Sequence, residues 1–189
     1  MYIIAGLGNP GIEYAKTRHN VGFLFIDYLY KEYDGDANAQ IKIQRSKVQL
    51  VKPLTYMNLS GQAIKKAVNI VKAKNKTFDT GTELIIVHDD VDLEFGQIKI
   101  KDSGGDAGHN GIKNIIENLS TDRFIRVRIG VGRPSDKKIS TADYVLNDFV
   151  KEEWNFMWED SFPRVKRFIN EYLLFGMQKA RSLLHRSQS

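Results

Sequence analysis

The chain contains no cysteine, so it has no disulfide framework, no thiolate nucleophile and no cysteine-based zinc site. It also lacks any apolar run near the roughly 18 to 20 residues that a membrane span requires. Residues 1–10 show neither the basic region nor the following apolar stretch of an export signal. The expected location is therefore cytoplasmic, with no membrane partner. Internal repeats and low-complexity segments are absent as well. What is there is an ordinary globular composition: 189 residues, 42% hydrophobic and 27% charged. That suffices for one domain over residues 1–189, burying roughly two-thirds of the surface of the unfolded chain. Lysine plus arginine outnumber aspartate plus glutamate, 28 to 23, a net charge of +5, and the pI is about 9.3. A basic balance favours polyanions such as nucleic acid, although on charge alone a merely solubilised surface reads the same way.

Residues 2–7 are a short apolar run that stops at glycine and proline, as a buried strand does on meeting a loop. From Asn20, a candidate N-cap, Val21, Leu24, Phe25, Tyr28 and Leu29 fall on one helical stripe that ends in the polar residues 34–38. Residues 41–52 supply one or two strands before Pro53. Asn58 or Ser60 then starts a helix through about Ala73, and residues 72–81 are a polar connection. Leu84, Ile85, Ile86 and Val87 run without a break, which suits a central strand covered on both faces. A strand near residues 97–101, a glycine-rich loop over 103–111, a helix over 112–118 and a strand over 125–131 follow. Val165, Phe168, Ile169, Tyr172, Leu173, Met177, Ala180 and Leu184 share helical spacing and predict one long last helix. Strands alternating with helices predict an α/β fold: a mixed β-sheet flanked by helices on both faces, with ligand-binding loops at the strand ends.

Gly6, Gly8 and Gly11 satisfy the G-x-G-x-x-G spacing after a strand, but Pro10-Gly11 breaks the chain where a dinucleotide site needs a helix N-terminus. His19, between the first strand and first helix, has no second histidine at zinc-ligand spacing. Structural histidines are common in such places. Asp89, at the end of the apolar strand, stands where a general-base histidine would find its orienting acid, with Asp92 as the second choice. The same aspartates also suit a divalent metal or a turn. Asn9, Asn58 and Asn110 are each a turn or cap residue when taken singly. As a set, their carboxamides can orient water and steady an oxyanion without adding charge. Met57 offers an apolar wall or ordinary packing. The glycine-rich loop before His109 exposes backbone N–H groups suited to a phosphate or terminal ribose, or is simply flexible. Lys99 with Lys101, and Arg126 with Arg128, alternate along two strands, so each pair shares a face that a phosphate backbone could meet.

Taken in order, Gly6-Leu7-Gly8-Asn9-Pro10-Gly11 with Glu13-Tyr14, Thr17-Arg18-His19-Asn20, Pro53 with Thr55-Tyr56-Met57-Asn58 and Ser60-Gly61, His88-Asp89-Asp90-Val91-Asp92, and Gly108-His109-Asn110-Gly111 resemble peptidyl-tRNA hydrolases of the bacterial type. The likeness runs from Ile4 to the last helix. It implies a monomeric hydrolase of a single α/β domain that needs no metal or other cofactor and cuts the ester between a peptide and the terminal ribose of tRNA. It makes His19 the catalytic base and Asp89 its orienting acid, with Asn9 beside the reacting ester. Tyr14, Met57, Asn58 and Asn110 become substrate contacts, and Lys101, Arg128 and His109 become tRNA contacts. Asp106 departs from the small or basic residues that the family places before Gly-His-Asn-Gly, and its charge calls for a lysine partner or weakens attraction to RNA. Two other classes remain open: a non-catalytic RNA-binding relative of the same fold, such as the splicing factors of plant organelles, and a general carboxylesterase.

Overall fold

A computed structural model of the protein describes residues 1–33 and 40–186; the polar stretch expected to end the first helix lies outside the described residues. Six strands form one sheet, β1 (Tyr2–Gly6), β2 (Gln40–Ile43), β3 (Ser46–Val51), β4 (Leu84–Asp90), β5 (Ile98–Lys101) and β6 (Ile125–Gly130), in the order β2-β3-β1-β4-β6-β5. The four central strands are parallel and the two edge strands antiparallel to their neighbours. The sheet is therefore mixed, as expected.

Alternation along the strands sends side chains to two cores. Ile3, Ala5, Leu84 and Ile86 pack with α2 (Ser60–Lys74) and α4 (Asn110–Leu119). Ile4, Ile85, Val87 and Val127 pack with α1 (Val21–Glu32) and with two C-terminal helices described below. The polar connection before β4 contains a one-turn helix, α3 (Thr80–Glu83). A short helix, α5 (Thr141–Val145), follows β6.

The C-terminal region departs from the expected single helix. It begins as α6 (Lys151–Phe156), passes through a π-turn (Met157–Ser161) into α7 (Phe162–Phe175), and breaks at Gly176 before α8 (Met177–Arg186). Gly176 has φ 81°, a conformation that costs glycine little and ends a helix. The apolar spacing survives the break, which is why periodicity alone joined the two helices.

Asn20 does not cap α1; its side chain makes no cap bond there. The first turn is held instead by the Phe23 N–H, which donates to the Leu7 carbonyl at 3.1 Å. This contact requires a very close approach of helix to sheet. A Cβ on Gly22 would lie 2.3 Å from the Leu7 nitrogen and 2.4 Å from the Val87 carbonyl oxygen. Backbone on both sides cannot give way as a flexible side chain would. Gly22→Ala is accordingly expected to cost about 3 kcal/mol by overpacking. For a chain of this size that lowers Tm by about 6 to 12 °C. An unchanged melting curve would show that α1 can lift off the sheet freely.

Candidate active site

The carboxyl ends of the parallel strands open into a cleft of about 720 Å³. β4 delivers His88, Asp89 and Asp90 to its floor, all three buried. His19 comes from a 3-10 turn (Arg18–Asn20) at the start of α1. Its Nδ1 lies 3.0 Å from both Asp89 oxygens, so the proton sits on Nδ1 and the Nε2 lone pair is left free. Burial alone would lower the His19 pKa; the charge and hydrogen bond of Asp89 outweigh it and raise the value above the ordinary 6.5. Burial would likewise raise the Asp89 pKa, yet the two imidazoles beside it hold the carboxyl well below its usual range.

The second imidazole is His109. Its Nδ1 accepts the Gly111 N–H at 3.1 Å and the Ile112 N–H at 3.3 Å, capping α4, while Nε2 lies 3.0 Å from Asp89 Oδ1. Two N–H donors aimed at Nδ1 leave the His109 proton on Nε2, from where it is donated to Asp89. The carboxylate thus takes a hydrogen bond from each histidine. His88, edge-on to the His109 ring at 4.7 Å, bonds the Asp89 carbonyl through Nδ1 at 2.7 Å. Burial chiefly, with His109 nearby, pushes its pKa well below 6.5, so it stands there as a neutral ring.

Asn9 is held from two sides. The Asn20 carboxamide clasps its backbone, accepting the Asn9 N–H at 2.8 Å and donating to the Asn9 carbonyl at 2.9 Å. The Met57 N–H donates to Asn9 Oδ1 at 2.8 Å. An N–H can be accepted only by the oxygen of the amide, so the orientation of the Asn9 side chain is fixed with Nδ2 as its remaining donor. Met57 and Asn58 lie in a 3-10 turn (Met57–Leu59) leading into α2, and Asn110 is the first residue of α4. Both asparagines line the cleft. They share the cleft because α2 and α4 pack closely at Gly61, whose N–H donates to Asn114 Oδ1 at 2.9 Å and whose Cβ position lies 2.2 Å from the Asn114 carbonyl oxygen.

A family model described as peptidyl-tRNA hydrolase matches residues 3–189. The chain is 46% identical over 161 residues to a peptidyl-tRNA hydrolase of Clostridium perfringens, covering 81% of each chain. It is 40% identical over 196 residues to that of Thermodesulfovibrio yellowstonii, covering 98% of this chain and all of the other. Among solved structures, peptidyl-tRNA hydrolase from Acinetobacter baumannii superposes with a TM-score of 0.79 at 31% identity, covering 95% and 94% of the two chains. The chain belongs to the peptidyl-tRNA hydrolase family.

The sequence motifs of that family converge on the cleft only in part. His19, Asp89, Asn9, Met57, Asn58, His109 and Asn110 line it; Tyr14, Lys101 and Arg128 do not. Tyr14 lies in an outer turn, where its carbonyl accepts the Thr17 hydroxyl. Arg128 is tied to Asp90, Nε to Oδ2 at 2.6 Å. Arg126 is buried and donates to the carbonyls of Gly104, Gly105 and Asp122, so it holds the glycine-rich loop instead of facing a phosphate. The loop spends its own N–H groups as well: Gly104 donates to Asp122, and Gly108 to Asp106. Asp106 therefore accepts within its own turn, a role beside the two considered for it, a lysine partner or a weaker attraction to RNA. Asp92 pairs with Arg133, not with His19. Two of the three glycines of the apparent dinucleotide fingerprint serve packing: a Cβ on Gly6 would lie 2.0 Å from the Gly22 carbonyl oxygen, and one on Gly8 2.5 Å from the Phe23 ring, while Gly11 turns the exposed chain at φ 121°.

Nothing in the sequence pointed to His109 as a partner of Asp89 or to the Asn20–Asn9 clasp. Their only signal was composition, polar side chains crowded into loops that also carry glycine.

Proposed function

We propose that this chain hydrolyses the ester joining a peptide, or an N-blocked amino acid, to the terminal ribose of tRNA, and so recycles tRNA from stalled translation. The observation that carries the reading is the buried His19–Asp89 pair on the floor of a cleft ringed by asparagines. Water held at the free His19 Nε2 gives up its proton as it attacks the ester carbonyl, and Asp89 stabilises the imidazolium that forms. The proton then passes to the leaving ribose oxygen. Asn9 Nδ2, its orientation locked by the Met57 N–H, donates to the developing oxyanion. Asn58 and Asn110 orient ester and water, and Met57 lines the acyl side. Lys101 contacts the RNA, with Arg128 acting from beside Asp90. The reading of His109 shifts: with both ring nitrogens used inside the protein, it holds Asp89 and the start of α4, and the RNA contact first expected of it is not proposed. The enzyme works as a cytoplasmic monomer of one domain. No helix among the described residues is long and apolar enough to cross a membrane.

His19, Asp89 and His109 bring three potential metal-ligand atoms within 4.8 Å of one another. The helix cap argues against a metal there. To ligate, His109 Nε2 would have to surrender its proton, and the replacement proton on Nδ1 would point at two N–H donors.

The test is release of tRNA from an N-blocked aminoacyl-tRNA in chelator, at increasing salt. Full activity in chelator is expected, with KM rising as salt screens the RNA contacts. Activity lost to chelator and restored by a divalent ion would install a metal at the histidines. Binding of tRNA without release would favour the non-catalytic relative, and efficient cleavage of small esters a general carboxylesterase.

A further inference from the structure

Arg18 takes no part in this chemistry, yet it is buried, 6% exposed, beside the catalytic base. Its guanidinium is occupied on three sides. Nη1 donates to the carbonyls of Asn147 at 3.1 Å and Asp148 at 2.8 Å, and Nη2 to Glu153 Oε2 at 2.6 Å. Its central carbon lies 4.5 Å from the centre of the Tyr144 ring and 5.6 Å from that of Phe149. The same Glu153 oxygen accepts the Val150 N–H at the start of α6. Backbone bonds run alongside: the Arg18 N–H donates to the Asn147 carbonyl and the Phe149 N–H to the Lys16 carbonyl, where Thr17 and Asp148 pair as an isolated antiparallel bridge.

Every one of these partners lies in α5, in the segment after it or in the first turn of α6, and α5 with the Leu146 that follows it forms one wall of the cleft, through Thr141, Ala142, Val145 and Leu146. The wall has one further tether. The Tyr144 hydroxyl donates to the Val131 carbonyl at 2.9 Å, and the Val131 N–H donates to the Asp90 carbonyl at 3.0 Å, next to Asp89. His19, by contrast, has holds independent of Arg18: Asp89 through its ring, and the Asn20–Asn9 clasp one residue on.

We propose that Arg18 is a positioning residue for the reaction, a clamp that sets the α5 wall of the cleft at a fixed distance from the turn carrying His19. The inference rests on the hydrolase reading. The wall offers alanine, valine and leucine, so it meets the acyl side of the substrate, not its phosphates. Opening the clamp leaves His19 in register with Asp89 and loosens the wall. The defect therefore falls on substrate binding.

Two variants test it. Glu153→Gln keeps an acceptor for the Val150 N–H but removes the ion pair; Arg18→Lys keeps the charge but loses the planar fork that reaches two carbonyls. For an N-blocked aminoacyl-tRNA, KM is expected to rise about 3-fold in Glu153→Gln and about 10-fold in Arg18→Lys, as loss of one or more charge-assisted hydrogen bonds implies. The values of kcat and the acid limb of its pH profile should hardly move. Amide hydrogen exchange over residues 141–149 should quicken in both variants and stay unchanged in the sheet. Exchange reads the clamp without turnover, so a wild-type chain that releases no tRNA sinks the hydrolase reading alone. Should Arg18→Lys fail to fold, Glu153→Gln decides. Unchanged exchange and KM in folded Glu153→Gln, or a loss confined to kcat, overturns the clamp.

Discussion

His19→Ala is expected to cut hydrolysis of an N-blocked aminoacyl-tRNA by roughly 10²- to 10⁴-fold, the contribution of a positioned general base, while the protein melts almost as the wild type does. The rate is expected to fall because water then loses the imidazole nitrogen that takes its proton. The fold survives because Asp89 keeps its hydrogen bond from His109 and α1 keeps its contact with the sheet. The folded-state pKa of His19 lies above its ordinary 6.5. The stabilisation from the charged pair is therefore fully present below about pH 6.5 and lost as pH rises through the raised value. A melt at pH 8 should show the smaller difference between wild type and variant. Activity above a tenth of wild type, in a folded variant, would remove His19 from the role of base.

Asp89→Asn should lower kcat by up to roughly 10⁴-fold, the order seen when the acid of a histidine–aspartate pair is amidated. It should also displace the pH profile. On the proposed mechanism His19 must be neutral to take the proton, so the acid limb of wild-type kcat/KM is expected above pH 6.5, because Asp89 raises the histidine. Without the carboxylate, burial acts unopposed on His19 and the limb moves to lower pH. The amide also conflicts with its surroundings. Both oxygens of Asp89 face His19 Nδ1 at 3.0 Å, so an NH₂ group in place of one of them would meet an N–H and turn the imidazole or reverse its tautomer. A variant with the rate loss but an unmoved acid limb would mean that Asp89 shapes the cleft without acting electrostatically on His19.

The strands were legible because an unbroken apolar run such as Leu84 to Val87, bounded by polar residues, is too short for a buried helix and fits a buried strand. The starts of α1 and α2 were legible to within two residues from apolar spacing. The break at Gly176 was not, since packing on one core keeps the same stripe on both sides of it. The start of α4 was legible to the same margin, although its cap is an imidazole nitrogen where a serine or aspartate is usual. In the cleft, chemistry alone suggested an acid for His19 and a set of asparagine donors, and the resemblance to the family singled out Asp89 and the roles; the fold brings these side chains to one cleft. Arg126 and His109 look like RNA contacts in one dimension. Only the folded chain turns them inward, because their partners are carbonyls and carboxylates that are distant in sequence or carry no side-chain signature.

The strand order also says something about how the protein comes into being on the ribosome. β1 is made first yet sits inside the sheet, pairing Tyr2 with Val48 and Ile3 with Leu84, and β4 in turn waits for Ile125 to meet Ile85. In the nascent chain one edge of β1 therefore stays open until residues 84–90 are made, and the outer edge of β4 stays open until residues 125–130 are. Pairings this distant make folding slow compared with helical bundles. This protein should depend on holding chaperones during synthesis more than a helical bundle of its length does.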